Sequence, residues 1–183
     1  MIDESTEWRN AIKRNNSYIR RFAKIATKEN STFPPDRIHM RIITNALFCR
    51  KLLETPMVAS EFKQTNLPVS AHPWNDSIVD HINAHKIDEK YRLETASTKI
   101  LKAPVLGNYI IHSFIWAWGV DEELNIDSFL VCSDKTREKD LYRVDLRIYL
   151  DFLQSVANSY PARCVMNRDP VFGQWQWDAD TPN

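Results

Sequence analysis

Glycine is scarce in this chain, with three residues in 183. Tight turns and phosphate-cradling loops draw on glycine's access to positive φ, so both a turn-dense all-β fold and a glycine-rich nucleotide loop are argued against. No Gly-x-Ser-x-Gly elbow occurs either. The three cysteines, Cys49, Cys132 and Cys164, are odd in number and far apart, and none forms a Cys-x-x-Cys pair. That pattern indicates neither a disulfide framework nor a cysteine-rich zinc site. Long apolar runs are missing as well. The richest stretch, Tyr109 to Val120, falls short of the roughly 18 residues a membrane span needs and carries His112 and Ser113. Met1 to Glu7 is acidic and has no hydrophobic segment of the signal-peptide kind. The expectation is a soluble, cytoplasmic protein that does not enter a membrane. Net charge is zero, from 24 basic and 24 acidic residues, so there is no bulk nucleic-acid signature.

What is present is the composition of a globular protein, 43% hydrophobic and 26% charged, in a length that suits one domain over residues 1–183. The neutral total hides an uneven distribution. Arg9, Lys13, Arg14, Arg20, Arg21, Lys24 and Lys28 follow one another with no acidic residue among them. Such a face can track phosphates. Arg14, Arg20 and Arg21, extended by Arg37 and Arg41, are therefore candidate RNA-binding residues. The other reading is a solvated helix face, balanced by the acidic N-terminus and the later acidic turns.

Hydrophobic spacing predicts a mainly α fold: a bundle of four or five helices with a β-hairpin or small antiparallel meander inserted before the last helix. Trp8, Ile12, Ile19, Phe22 and Ala26 recur at three- and four-residue steps and predict a helix over 7–28. Pro34-Pro35 opens a second helix to about Glu54, with Ile38, Ile42, Leu47, Cys49 and Leu53 inward. Met57 to Asn75 reads as an irregular crossing marked by Pro68 and Pro73, with a short helical turn at Ser60 and Glu61. Asp76 is the expected cap of a helix carrying Ile78, Ile82 and His85 and ending by Tyr91. Thr95 to Lys102 reads as a polar link, after which Pro104 opens a helix through Asn108 and His112. Phe114, Trp116 and Trp118 then alternate with Ile115 and Ala117, the period of a strand. Returning strands are expected at Ile126–Ser133 and Leu141–Val144. Asp145 caps a last helix, Leu146–Asn158. The helical core is thus about 7–113 and 145–160, the hairpin 114–144, and 161–183 an irregular strap. Trp175 and Trp177 in that strap suit docking on a partner or a second copy.

His81 and His85 form a His-x-x-x-His pair on the expected third helix, a spacing that can ligate one metal. No glutamate follows His81, and a third ligand such as His72 is not indicated, so surface histidines are expected and no metal. Asn108 and His112 are one helical turn apart and share a face. There an asparagine can orient an imidazole or bind a phosphate oxygen, and a histidine can move protons near neutral pH.

Asn108, His112 and Ser113 resemble the signature of the HEPN superfamily, Arg-Asn-x-x-x-His followed by a small or polar residue. The likeness extends loosely to the two long helices upstream. It implies an RNA-interacting protein, either a metal-independent ribonuclease or a catalytically degenerate relative, commonly a homodimer and needing no cofactor. His112 would be the acid or base acting on a ribose 2′-hydroxyl, and Asn108 its orienting partner. Gly107 stands where the family has arginine. The countercharge for the phosphate would come from Lys102, Arg92 or the basic first or second helix. The alternative is a non-catalytic protein–protein interaction or antitoxin-like module in which the same residues are structural.

Overall fold

The computed structural model describes residues 4–23, 35–161, 163–169, 171, 173 and 175–180. Helix α1 spans Glu4–Ala23 and α2 spans Pro35–Leu53. The predicted end of the first helix lies outside the described residues. Proline opens α2 where its missing N–H costs no helical bond. Asp36 in its first turn and Arg50 and Lys51 in its last complement the helix dipole. Ile38, Ile42, Asn45, Ala46, Cys49, Leu52 and Leu53 form its buried stripe.

The strands are β1 (Asn66–Pro73), β2 (Ser97–Lys102), β3 (Ser113–Val120), β4 (Ile126–Ser133) and β5 (Asp140–Asp145). They form one antiparallel sheet in the order β2-β1-β5-β4-β3. Also on the path are a one-turn helix α3 (Ile87–Lys90), then α4 (Ala103–Ile111) and α5 (Leu146–Asn158). The hairpin of β6 (Arg163–Arg168) and β7 (Trp175–Asp180) closes the chain.

The molecule is therefore a mixed α/β fold, and the expectation of a mainly α bundle is corrected. The two extra strands of the five-stranded sheet, β1 and β2, come from the expected crossing and the expected polar link. β1 carries a two-residue burial period in Leu67, Val69 and Ala71, and its two prolines mask it. Pro68 lies beyond the β1–β5 register, which covers Ser70 to Pro73, and Pro73 ends the strand. Neither position asks proline to sit inside two ladders at once. β2 is an exposed edge strand whose lysines, Lys99 and Lys102, suit an open edge.

The expected helix after Asp76 is also cut back, to the single turn α3 just before Tyr91. Asp76 has φ 68°, outside helical backbone. Asp80 Oδ1 accepts the N–H of Ile82 (2.8 Å) and of Asn83 (3.0 Å), and Asn83 Nδ2 donates to the Ile78 carbonyl (3.1 Å). Short polar side chains have taken the backbone groups a helix would use. The irregular strap is likewise corrected, to the β6–β7 hairpin. Gly173 turns it at φ 66°, and the Ala179 N–H bonds Ser60 Oγ (3.0 Å). The side chains of Trp175 and Trp177 lie outside the described residues.

The main core lies between the helices and one sheet face, where Ile12, Ile42, Leu52, Leu106, Phe129, Val131, Leu150 and Leu153 pack together. Asn15, Asn16 and Asn45 bond one another within it. Asn15 Nδ2 donates to Asn45 Oδ1 (2.9 Å), Asn45 Nδ2 to Asn16 Oδ1 (3.0 Å), and Asn16 Nδ2 to the Leu150 carbonyl (3.1 Å). A buried polar network with its partners met fixes how helices register. The segment 74–91 covers part of the other sheet face, closing Val79 and Tyr91 over Ile115, Cys132 and Leu141. A Cβ at Gly119 on β3 would stand 2.0 Å from Ser128 Oγ, which would have to turn away from Asp127 and Arg143.

Candidate functional site

Helix α4 follows β2 and runs into β3 with only His112 between. Pro104 starts it, and Ala103, Leu106 and Ile110 are its buried face. That choice of inward face turns Asn108 outward, and His112 at the helix end is exposed with it. The His112 N–H still donates to the Asn108 carbonyl (3.0 Å), although its φ of −107° and ψ of 36° have left the helix.

Two distant segments complete the site. α2 packs against α4 and brings Arg50, whose Nη1 donates to Asn108 Oδ1 (3.4 Å) while its Nε is held by Glu54 Oε1 (2.8 Å). The turn between β4 and β5 brings Lys135 and Lys139. Within it the Ser133 N–H donates to Thr136 Oγ1 (2.9 Å), the N–H of Thr136 and that of Arg137 return to the Ser133 carbonyl (3.0 Å each), and Tyr91 Oη donates to the Arg137 carbonyl (2.5 Å). The result is an open cleft of about 780 Å³ lined by Arg50, Asn108, Tyr109, His112, Lys135 and Lys139, among others. That volume is within the usual range for ligand sites. Asp134 is occupied by Arg137 (3.1 Å) and Glu54 by Arg50. Lys135 and Lys139 have no ion pair among the described residues, so the cleft carries excess positive charge.

Beyond the Arg50–Asn108 wall lies a smaller slot of about 260 Å³, lined chiefly by Cys49, Leu53, Ala103, Pro104, Tyr149 and Phe152. Burial pushes the Cys49 thiol up to about 12 and the Tyr149 hydroxyl well above its ordinary value. Both are protonated at neutral pH, and Cys49 is no nucleophile. Gly107 also lines the slot, and a Cβ there would meet nothing within 4 Å. No close approach demands this glycine; its absent side chain leaves the slot open.

Of the residues picked from the sequence, Asn108 and His112 share the cleft, whereas Arg14, Arg20, Arg21, Arg37 and Arg41 do not line it. Arg20 pairs with Asp151 (2.7 Å), and Arg41 lies over the Tyr18 ring (4.0 Å) while donating to Asn15 Oδ1 (2.5 Å). Arg21 reaches over Phe22 (5.6 Å), and Arg14 and Arg37 are exposed. The proposed substitutes for the missing arginine are also engaged elsewhere. Lys102 donates to Gln64 Oε1 (2.7 Å), and Arg92 meets Asp76 (3.5 Å). Arg50, in the last turn of α2, is the second-helix cation that lines the cleft. Its sequence signal was faint, a charge in the last turn of a helix, and Lys135 and Lys139 sat in what read as an ordinary charged turn.

The His81–His85 pair loses its helical spacing, since the chain there is a turn; His81 stands against the Phe114 ring (4.7 Å). His72 Nδ1 is 3.0 Å from the Leu93 carbonyl. No group of three or more candidate metal ligands occurs among the described residues. No described helix is long and apolar enough to cross a membrane. No protein-family model matches the chain, and no curated protein or solved structure is similar to it.

Proposed function

We propose that the protein binds RNA through the Arg50–Asn108–His112 cleft and cleaves it without a metal. The observation that carries this reading is the exposed Asn108–His112 pair in one open cleft with Arg50, Lys135 and Lys139. A phosphodiester there meets Lys135 and Lys139, which no carboxylate among the described residues neutralises, beside the Glu54-paired Arg50, and electrostatic stabilisation of this kind dominates phosphoryl transfer. His112 takes the proton of a ribose 2′-hydroxyl as that oxygen attacks the adjacent phosphorus. The bond to the 5′-oxygen breaks, water in the open cleft returns a proton to that oxygen, and a 2′,3′-cyclic phosphate remains. Lys135 and Lys139 supply the charge that the residue at 107 does not, and Arg50 holds the Asn108 amide beside them. Such work belongs in the cytoplasm, where the substrate is.

The test is incubation of an RNA oligonucleotide with the protein in EDTA, beside His112→Ala and Arg50→Ala. Cyclic-phosphate ends from the native chain, reduced about 10²-fold or more by either change, are expected. Absent cleavage, or equal cleavage by native protein and His112→Ala, would sink the catalytic reading.

A second reading, an interaction module that pairs with another copy or a protein partner, draws on Ile78 and Ile82. These are 74% and 85% exposed on the covering segment. Light scattering of the native chain and of a double Ile78→Ser/Ile82→Ser variant decides it. A dimer that becomes monomeric supports self-association through this segment, and a monomer in both argues against it.

A further inference from the structure

The polar cleft and the apolar slot are not independent, because both are lined by Arg50 and Asn108. A single ligand reaching past this pair would meet cations on one side and a greasy recess on the other. We propose that the slot is a base-binding subsite, which takes a nucleobase while the attached phosphate occupies the cleft. The assignment rests on the RNA-binding reading of the cleft and adds to it a place where the base is read.

The lining fits that occupant. Leu53, Pro104, Tyr149 and Phe152 give apolar and aromatic walls, and Cys49 and Tyr149 are held in their neutral forms. Nothing in the recess repels an uncharged ring. Polar groups stand in the same lining: Asn108, whose Oδ1 accepts from Arg50, has its Nδ2 as a donor, and the Arg50–Glu54 pair closes one side. A fatty chain has no use for such groups, whereas the edge of a base hydrogen-bonds to them. Gly107 is part of the recess wall, and with nothing within 4 Å of a Cβ there a larger side chain can fill space at that wall without striking the backbone.

The experiment compares, by calorimetry, the four ribonucleoside 5′-monophosphates, ribose 5-phosphate and inorganic phosphate as probes of the full chain. At least one nucleotide should bind about tenfold or more tightly than ribose 5-phosphate, the scale of one stacked base. Gly107→Leu should erase that preference and leave ribose 5-phosphate binding as it was. Gly107→Met is the second variant, and thermal unfolding of both confirms that they fold. Equal affinities for nucleotides and ribose 5-phosphate in the native protein would overturn the subsite while leaving the cleft intact. So would a preference that survives both substitutions. Failure of every phosphate probe and of an RNA oligonucleotide to bind would instead remove the cleft reading, and the subsite with it.

Discussion

Two regions of this molecule are rich in cations, and they use them differently. Along α1 and the start of α2, several of the basic side chains are part of the framework. Arg9 is 1% exposed and donates to the carbonyls of Val156 (3.3 Å), Ala157 (3.4 Å), Ser159 and Met57, tying α1 to the end of α5. Arg20 is committed to Asp151, and Arg41 to Asn15 and Tyr18. At the end of α4 the cations are fewer, but Lys135 and Lys139 pair with no carboxylate among the described residues and face an open cleft with Asn108 and His112. Local charge density therefore says little about ligand binding until each cation's existing partners are known.

Removing a framework cation should have the largest effect. Arg9→Ala strands several buried carbonyls at the end of α5 and is expected to cost about 3 kcal/mol or more. Urea unfolding measures this, and a loss under about 1 kcal/mol would show that the α1 cations are not the framework they resemble. Next in size is Gly107→Ala, which replaces a glycine inside α4 where a Cβ meets open space. Stability should rise by about 0.5–1 kcal/mol, seen as a thermal midpoint higher by about 2–4 °C at most. A lower midpoint would mean that the recess beside Gly107 is narrower than described.

The smallest effect concerns the other histidine of α2–α4 surroundings, His39, which stacks on Trp116 (centroids 4.2 Å apart). Burial holds its pKa below the ordinary 6.5, partly offset by Asp36. The unfolded chain then takes up a proton near 6.5 that folded His39 does not, so this residue's contribution to stability is full above 6.5 and is lost as pH falls through the window below it. His39→Phe keeps the stack and should flatten the fall in urea midpoint between about pH 7 and pH 5. An unchanged slope would assign that acid sensitivity elsewhere.

Much of the second half of the fold was legible. Trp116 and Trp118, both packed on the main core, and the Asp145 cap, which accepts the Ile148 N–H (2.9 Å), mark β3 and α5, whereas a bulge between Ser113 and Ile115 puts Phe114 with the second cluster. Strand β4 and the bounds of α5 agree with the periodicity residue by residue. Within residues 57–102 the short helical turn at Ser60 and Glu61 was legible, as the 3-10 turn Ser60–Gln64, and the rest was not. Prolines interrupt the alternation of β1, and β2 has almost no buried face to reveal it. Asn75, Asp80 and Asn83 override a helical spacing through local hydrogen bonds, and Asp76 leaves helical backbone at φ 68°. The site divides in the same way. Asn108 and His112 are close in sequence, so a helix alone brings them together. Arg50, Lys135 and Lys139 join them only through the packing of α2 on α4 and the folding of the β4–β5 turn, which no local pattern encodes.

The contrast between the two cationic regions is tested most directly by the salt dependence of binding to a single-stranded RNA oligonucleotide. Lys135→Ala/Lys139→Ala should make the slope of log affinity against log salt shallower by about 1.4, the release expected for two phosphate contacts on a single strand. Arg14→Ala/Arg21→Ala, on the α1 face, should leave the slope unchanged. A shallower slope for the α1 pair with none for the cleft pair would contradict the account.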